Sequence, residues 1–213
     1  MKTVLLAGFD AFGGEVVNPS ALATRALDGR SIASHRVVAV ELPCVFERAP
    51  AVLRDAVREV GPAIVIAVGQ TGGRAAIGVE RVAINVDDAP IADNAGGQPV
   101  DRPIARRGPV GYWSTLPIKA VVAALTGAGI PANVSQSAGT FVCNHVFYSL
   151  MRDLRRHPGV RGGFVHVPRL PEQVGDGGAP SMALETIVRA LEITVATSIE
   201  ATRDLRAVGG AVD

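Results

Sequence analysis

Residues 3–20 read TVLLAGFDAFGGEVVNPS. Positions 3–9 are an unbroken short apolar run, the pattern of a strand buried on both faces. The polar, glycine-bearing DAFGGEVVN predicts a loop at that strand's C-terminal end. Asn18-Pro19-Ser20 then predicts a helix start, with Asn18 placed to cap and Pro19 at the first helical position. The same β-loop-α logic extends down the chain. Further strands are predicted at 37–42, 63–68 (AIVIAV), 81–86, 132–138 and 163–167, and helices at 51–60, 116–126, 143–157 and 181–205, the last capped by Ser181. Alternating strands and helices predict a single α/β domain over residues 1–213 whose sheet is covered on both faces.

Composition narrows the function classes. The chain has 213 residues, enough to bury a sizeable core, and 48% of them are hydrophobic. A net charge of +1, with lysines and arginines scattered, argues against a nucleic-acid or membrane partner. Two cysteines, Cys44 and Cys143, make no disulfide framework and show no zinc spacing, which suits a reduced, cytoplasmic setting. The first residues resemble a secretory signal only briefly, because Asp10 interrupts the run and no cleavage site follows. No run approaches the roughly 18 apolar residues of a membrane helix.

The residues with chemistry concentrate in 135–154, SQSAGTFVCNHVFYSLMRDL. Small, β-forming residues precede a Gly139-Thr140 turn, and apolar residues at helical spacing follow, so Cys143 falls in the first helical turn. Unpaired N–H groups and the helix dipole favour a thiolate there, with a lowered pKa. The alternative is a small core residue, since free cysteine is often buried. His166, alone at the end of the 163–167 strand, is either a hydrogen-bonded core residue or a base for that thiol. His145 points to a different helix face, and His35 and His157 read as structural. A thiol and a base need a third group to orient the ring, and Glu80, Asp87, Asp88, Asp93, Glu172 and Asp176 are all candidates. Phe9 and Phe12 bracket the first loop where open α/β sheets bind ligands, so they either clasp a flat apolar ligand or pin the loop. The glycine loops FDAFGG and GQTGGR match neither GxGxxG leading into a helix nor GxxxxGK[ST], and tight turns explain them as well as phosphate does.

The blocks GFDAFGGEVVNPS, VERVAINVDDAPIADN, SAGTFVCNHVFY and GGFVHVPRLPEQ, in this order, together with YWSTLPIK and the final helix, resemble the pyroglutamyl peptidase type I family. The resemblance implies a three-layer α/β/α sandwich with a mixed, largely parallel sheet, and a cytoplasmic homotetrameric cysteine peptidase acting on peptides with N-terminal pyroglutamate. It implies Cys143 as nucleophile, His166 as base and Glu80 as orienting acid. Phe9 and Phe12 would hold the pyroglutamyl ring, Asn18 would shape the pocket, and Gln70, Phe141 and Val142 would line it. No metal or organic cofactor is implied. Two departures stand out: Pro90 occupies the place of a usual arginine, and Arg169 that of a usual tyrosine. The first leaves a weakened or inactive ligand-binding protein as the alternative. A glutamine amidotransferase is a poorer match, because TFVCNH lacks the GxCxG turn.

Overall fold

The computed structural model describes residues 1–210 and, at Asp176, the backbone alone. The last three positions of the expected 1–213 span and the Asp176 side chain lie outside the described residues.

The opening run forms β1 (Lys2–Phe9), and its loop leads into α1 (Pro19–Leu27). Asn18 caps α1 as expected. Its Oδ1 accepts from the Ser20 N–H at 3.0 Å and the Ser20 hydroxyl at 2.8 Å, while its Nδ2 donates to the Asp10 carbonyl at 2.9 Å. One side chain thus satisfies the helix end and anchors the preceding loop. Gly8 lets α1 lie close on β1, since a Cβ there would stand 2.6 Å from the Ser20 carbonyl oxygen.

The chain continues through β2 (Ser31–Ile32), β3 (His35–Leu42), α2 (Arg48–Val60), β4 (Ile64–Thr71), β5 (Ile77–Glu80) and β6 (Val82–Ile84). After a long connection come β7 (Gly111–Trp113), α3 (Ile118–Gly127), β8 (Ala132–Ser135), α4 (Val142–Leu154) and β9 (Arg161–Pro168). A short α5 (Pro171–Val174) and the long α6 (Leu184–Glu200) close it.

Seven strands form one sheet in the order β2-β3-β1-β4-β9-β5-β8. From β3 to β9 neighbours are parallel, whereas β5 runs against β9 and β8 follows β5. The sheet is therefore mixed and largely parallel. Successive residues of β1 divide between two cores: Val4 and Leu6 pack with α1, α3 and α6, while Leu5, Ala7 and Phe9 pack with α2 and α4. That is the expected three-layer sandwich.

Several boundaries differ from the sequence reading, each for a tertiary reason. The expected 81–86 strand is shorter, and β6 leaves the main sheet to pair with β7 in a separate ribbon. The stretch just before it, loop-like in composition, forms β5 inside the main sheet. Helix α2 begins before Pro50, which occupies a first-turn position where its missing N–H costs nothing. The last helix starts at Leu184 rather than Ser181, its N-cap Ala183 makes no side-chain cap bond, and it ends at Glu200. The residues after it turn back so that Asp204 Oδ1 accepts the Lys119 and Ala120 N–H groups at 3.0 and 2.9 Å, capping α3.

The long connection after β6 is tied down by Asp93, whose carboxylate accepts N–H groups of Phe46, Ala95 and Gly97 at 3.0, 2.9 and 2.7 Å. Burial opposes its ionisation, but the hydrogen bonds from Phe46, Gly97 and Ala95 prevail and hold the carboxyl below its ordinary 3.8. A depressed pKa stabilises the fold above the ordinary carboxylate range, and that stabilisation is lost as pH falls through the folded-state value. Asp93→Asn is expected to cost about 1–2 kcal/mol at pH 7. The deficit should shrink in urea unfolding carried out below pH 3.8, where the wild-type carboxyl is itself being protonated.

Candidate active site

Cys143 is the second residue of α4, and its Sγ rests on the sheet directly over Gly69 of β4. A Cβ at Gly69 would come within 2.8 Å of that sulfur and 2.9 Å of the Phe164 ring, so only glycine leaves room for the thiol. Gly69 is also the register partner of His166 on β9. The thiol and the imidazole consequently occupy adjacent places on one face of the sheet, and both line the same cleft.

The third group comes from β5. Antiparallel pairing sets Gly78 opposite His166, and Glu80, two residues on, returns to the same face. Its Oε1 lies 2.8 Å from His166 Nδ1, with Glu80 fully buried and the ring 7% exposed. With Nδ1–H donating to the carboxylate, the basic lone pair of the ring is on Nε2. Such an arrangement can take a proton from a thiol and return it to a leaving group.

The electrostatics of the thiol differ from the sequence expectation. Burial, reinforced by Cys44 and by the Glu80 carboxylate, pushes Cys143 upward from 9.0, and its own backbone N–H offsets this only in part. A helix terminus contributes about 0.3–1 kcal/mol, which desolvation of a thiolate exceeds. Cys44 is not in the cleft; burial, then Asp10 and Asp93, push it up to about 12.

The cleft encloses about 360 Å³. Phe12 and Phe141 form one wall, their ring centroids 5.9 Å apart, with Phe46 packed edge-on against Phe141 at 5.4 Å. Phe9 is not on that wall: it is 2% exposed and packs on Phe164 at 6.2 Å. The ring packed against Phe12 is that of Phe141, while Phe9, implied as its partner by the family resemblance, packs on Phe164. Gln70 lines the floor, its Oε1 accepting from Gln173 Nε2 at 3.0 Å. Asn18 and Val142 stand behind the lining, Asn18 holding the loop that carries Phe12 and Val142 buried in the core. Phe141 provides no side-chain cap for α4, so the first-turn N–H groups of that helix have no side-chain partner at its start.

Geometry also separates the acidic candidates. Asp87 is fully buried but serves His145, 2.9 Å from its Nδ1, and Arg102 at 3.0 Å, away from the cleft. Asp93 holds the long connection, and Asp88 and Glu172 are exposed. Pro90 is exposed and does not line the cleft, while Arg169 pairs with Glu15 at 3.2 Å and lies over Gly72 at the rim. Among the described residues no cluster of three His, Cys, Asp or Glu side chains is placed to hold a metal ion. Among the same residues no helix is long and apolar enough to cross a membrane.

Gly69 is a site residue that sequence reasoning missed. Its neighbours in GQTGGR have the composition of a turn, but Gly69 has an ordinary strand conformation and is needed for clearance. Gly69→Ala should therefore destabilise the fold by about 1–3 kcal/mol through overpacking, read as a lowered urea midpoint with unchanged slope. An unchanged midpoint would mean that the sulfur and the Phe164 ring move aside freely.

Residues 2–201 match the pyroglutamyl peptidase family. A pyrrolidone-carboxylate peptidase of Cupriavidus taiwanensis is 56% identical over 213 residues, 99% of each chain. Among solved structures, pyroglutamyl peptidase I of Bacillus amyloliquefaciens superposes with a TM-score of 0.94 at 49% identity, covering 96% of this chain and 100% of that one. The pyrrolidone carboxyl peptidase of Thermococcus litoralis gives 0.94 at 36% identity, covering 98% and 100%. With residues 2–201 matched and relatives aligned over nearly the whole length, the chain belongs to the pyroglutamyl peptidase family.

Proposed function

We propose that this chain is a single catalytic domain that removes an N-terminal pyroglutamyl residue from peptides, with Cys143 as nucleophile, His166 as general base and acid, and Glu80 as the group that orients the ring. The observation that carries this reading is the meeting of Cys143 with a Glu80-bound His166 in a cleft walled by Phe12 and Phe141. Pyroglutamate is a flat, neutral lactam without a free α-amine, so its pocket needs apolar walls and neutral hydrogen-bond partners. No carboxylate lines the cleft among the described residues, while Gln70 does.

In the first half-reaction His166 Nε2 takes the Cys143 proton as sulfur attacks the carbonyl joining pyroglutamate to the next residue. The oxyanion is met by backbone N–H groups at the start of α4, where no side chain caps the helix. Collapse breaks the C–N bond, His166 protonates the departing amine, and a thioester remains. Water, deprotonated by the same nitrogen, then releases pyroglutamate. Glu80 stabilises the imidazolium formed in each step.

Two rings 5.9 Å apart leave no room for a ligand between them, since apolar contact on both faces needs about 7–8 Å. The lactam accordingly binds by displacing Phe12, which is carried on the first loop, from Phe141. The family resemblance further supports a cytoplasmic homotetramer, and exposed Val110 and Trp113 beside the β6–β7 ribbon offer apolar surface for such an assembly.

Release of a fluorescent amine from a pyroglutamyl amide and a matched prolyl amide tests this reading. Wild type should cleave only the pyroglutamyl amide, and Cys143→Ala should reduce turnover to background. Glu80→Gln should lower kcat by about 10²–10⁴-fold with a smaller change in KM. A folded wild type that cleaves neither amide would refute the peptidase reading.

A further inference from the structure

The cleft holds a cation that the proposed mechanism does not use. Arg74 lines it together with Cys143 and His166, at the exposed end of the Gly72-Gly73 turn, where Gly73 adopts φ +73°. Its guanidinium is held by Ser135 Oγ at 3.3 Å, and no described carboxylate pairs with it. The other arginine at this rim, Arg169, is already neutralised by Glu15. Arg74 is thus the uncompensated positive charge of an otherwise neutral, aromatic cleft.

Sheet order tells which part of a substrate would meet it. Phe12 follows β1, the Cys143 sulfur stands on β4, His166 is on β9, and Ser135, the anchor of Arg74, is on β8 beyond β5. The sites therefore succeed one another across the sheet as aromatic wall, nucleophile, proton donor, cation. The acyl group belongs at the aromatic wall, and the departing amine must lie on the histidine side to receive its proton. The rest of the leaving peptide runs from that amine toward Arg74.

Resting on the peptidase reading, we infer that Arg74 is a specificity-determining residue that binds a carboxylate in the leaving group. That carboxylate is either the side chain of an acidic residue directly after pyroglutamate or the free α-carboxylate of a pyroglutamyl dipeptide. Both present a planar anion to a guanidinium fork, and both lie one residue beyond the scissile bond. An exposed pair of this kind changes kcat/KM by about three- to tenfold.

The test compares kcat/KM for pyroglutamyl-glutamate amide with the isosteric pyroglutamyl-glutamine amide, and for pyroglutamyl-alanine with its amide, in wild type, Arg74→Gln, Arg74→Lys and Arg74→Glu. Wild type should favour the anionic member of at least one pair by about three- to tenfold, with a ratio that falls as salt is raised. The pair that shows the preference identifies the source of the carboxylate. The ratio should approach one in Arg74→Gln, persist in part in Arg74→Lys, and invert in Arg74→Glu. A role limited to bracing the loop through Ser135 would lower both members equally and leave the ratio intact, which overturns the inference. Absence of any anionic preference in wild type overturns it as well, even when all four peptides are cleaved. If none of the four is cleaved, the peptidase reading fails and this inference fails with it. Should Arg74→Gln not fold, the salt dependence of the wild-type ratio and the inversion in Arg74→Glu decide the matter.

Discussion

The site depends on a buried carboxylate finding its donor. Glu80 is fully buried, and its carboxylate makes the 2.8 Å bond to His166 Nδ1; its Oε2 has no partner among the described residues. A carboxylate in that position is costly unless an N–H reaches it, and the N–H must come from a neighbouring strand. The register of β5 on β9 supplies this, because Gly78 pairs with His166 and Glu80, two residues on, shares that face. The bond that orients the ring is also the one that partners the buried carboxylate.

The nucleophile is set by a second constraint, clearance. Sulfur stands over a backbone without a side chain, at a residue that pairs with the histidine. The helix that carries it lies in the same layer as α2, packed through Phe147, Leu150 and Leu154. The thiol is half-buried at the floor of the cleft, and its burial pushes its pKa up. Arg74 and the aromatic wall stand at opposite ends of the arrangement, one polar and open, the other apolar and closed by ring contact.

The strand-loop-helix at the start was legible because its signals are local: an apolar run, a glycine loop, Asn18 before Pro19. The same holds for the strand ending at His166 and the helix bearing Cys143. Other features depended on partners far away in the chain. Four residues inside a glycine- and aspartate-rich stretch became β5 only because β8 and β9 flank them, so the strand bearing Glu80 had no periodicity of its own. Spacing could not choose among the acids, whereas register brings Glu80 to His166. Phe9 and Phe12 are close in sequence, yet Phe9 ends a strand buried on both faces while Phe12, in the loop beyond it, faces Phe141 far along the chain. The late start of α6 and the reuse of Asp204 as a cap for α3 are likewise decisions of packing. Block resemblance carried the roles of Glu80, Cys143 and His166 where physical reading left alternatives open.

The central claim, that acyl transfer passes through the Cys143 sulfur, is tested most directly by intact-protein and peptide mass spectrometry after rapid acid quenching with an activated pyroglutamyl ester. Fast acylation by such an ester makes deacylation limiting, so the intermediate accumulates. The account predicts one pyroglutamyl group per chain, located on the peptide containing Cys143 and absent in Cys143→Ala. Ester turnover without an adduct there, or an adduct that persists on another residue in Cys143→Ala, would contradict it.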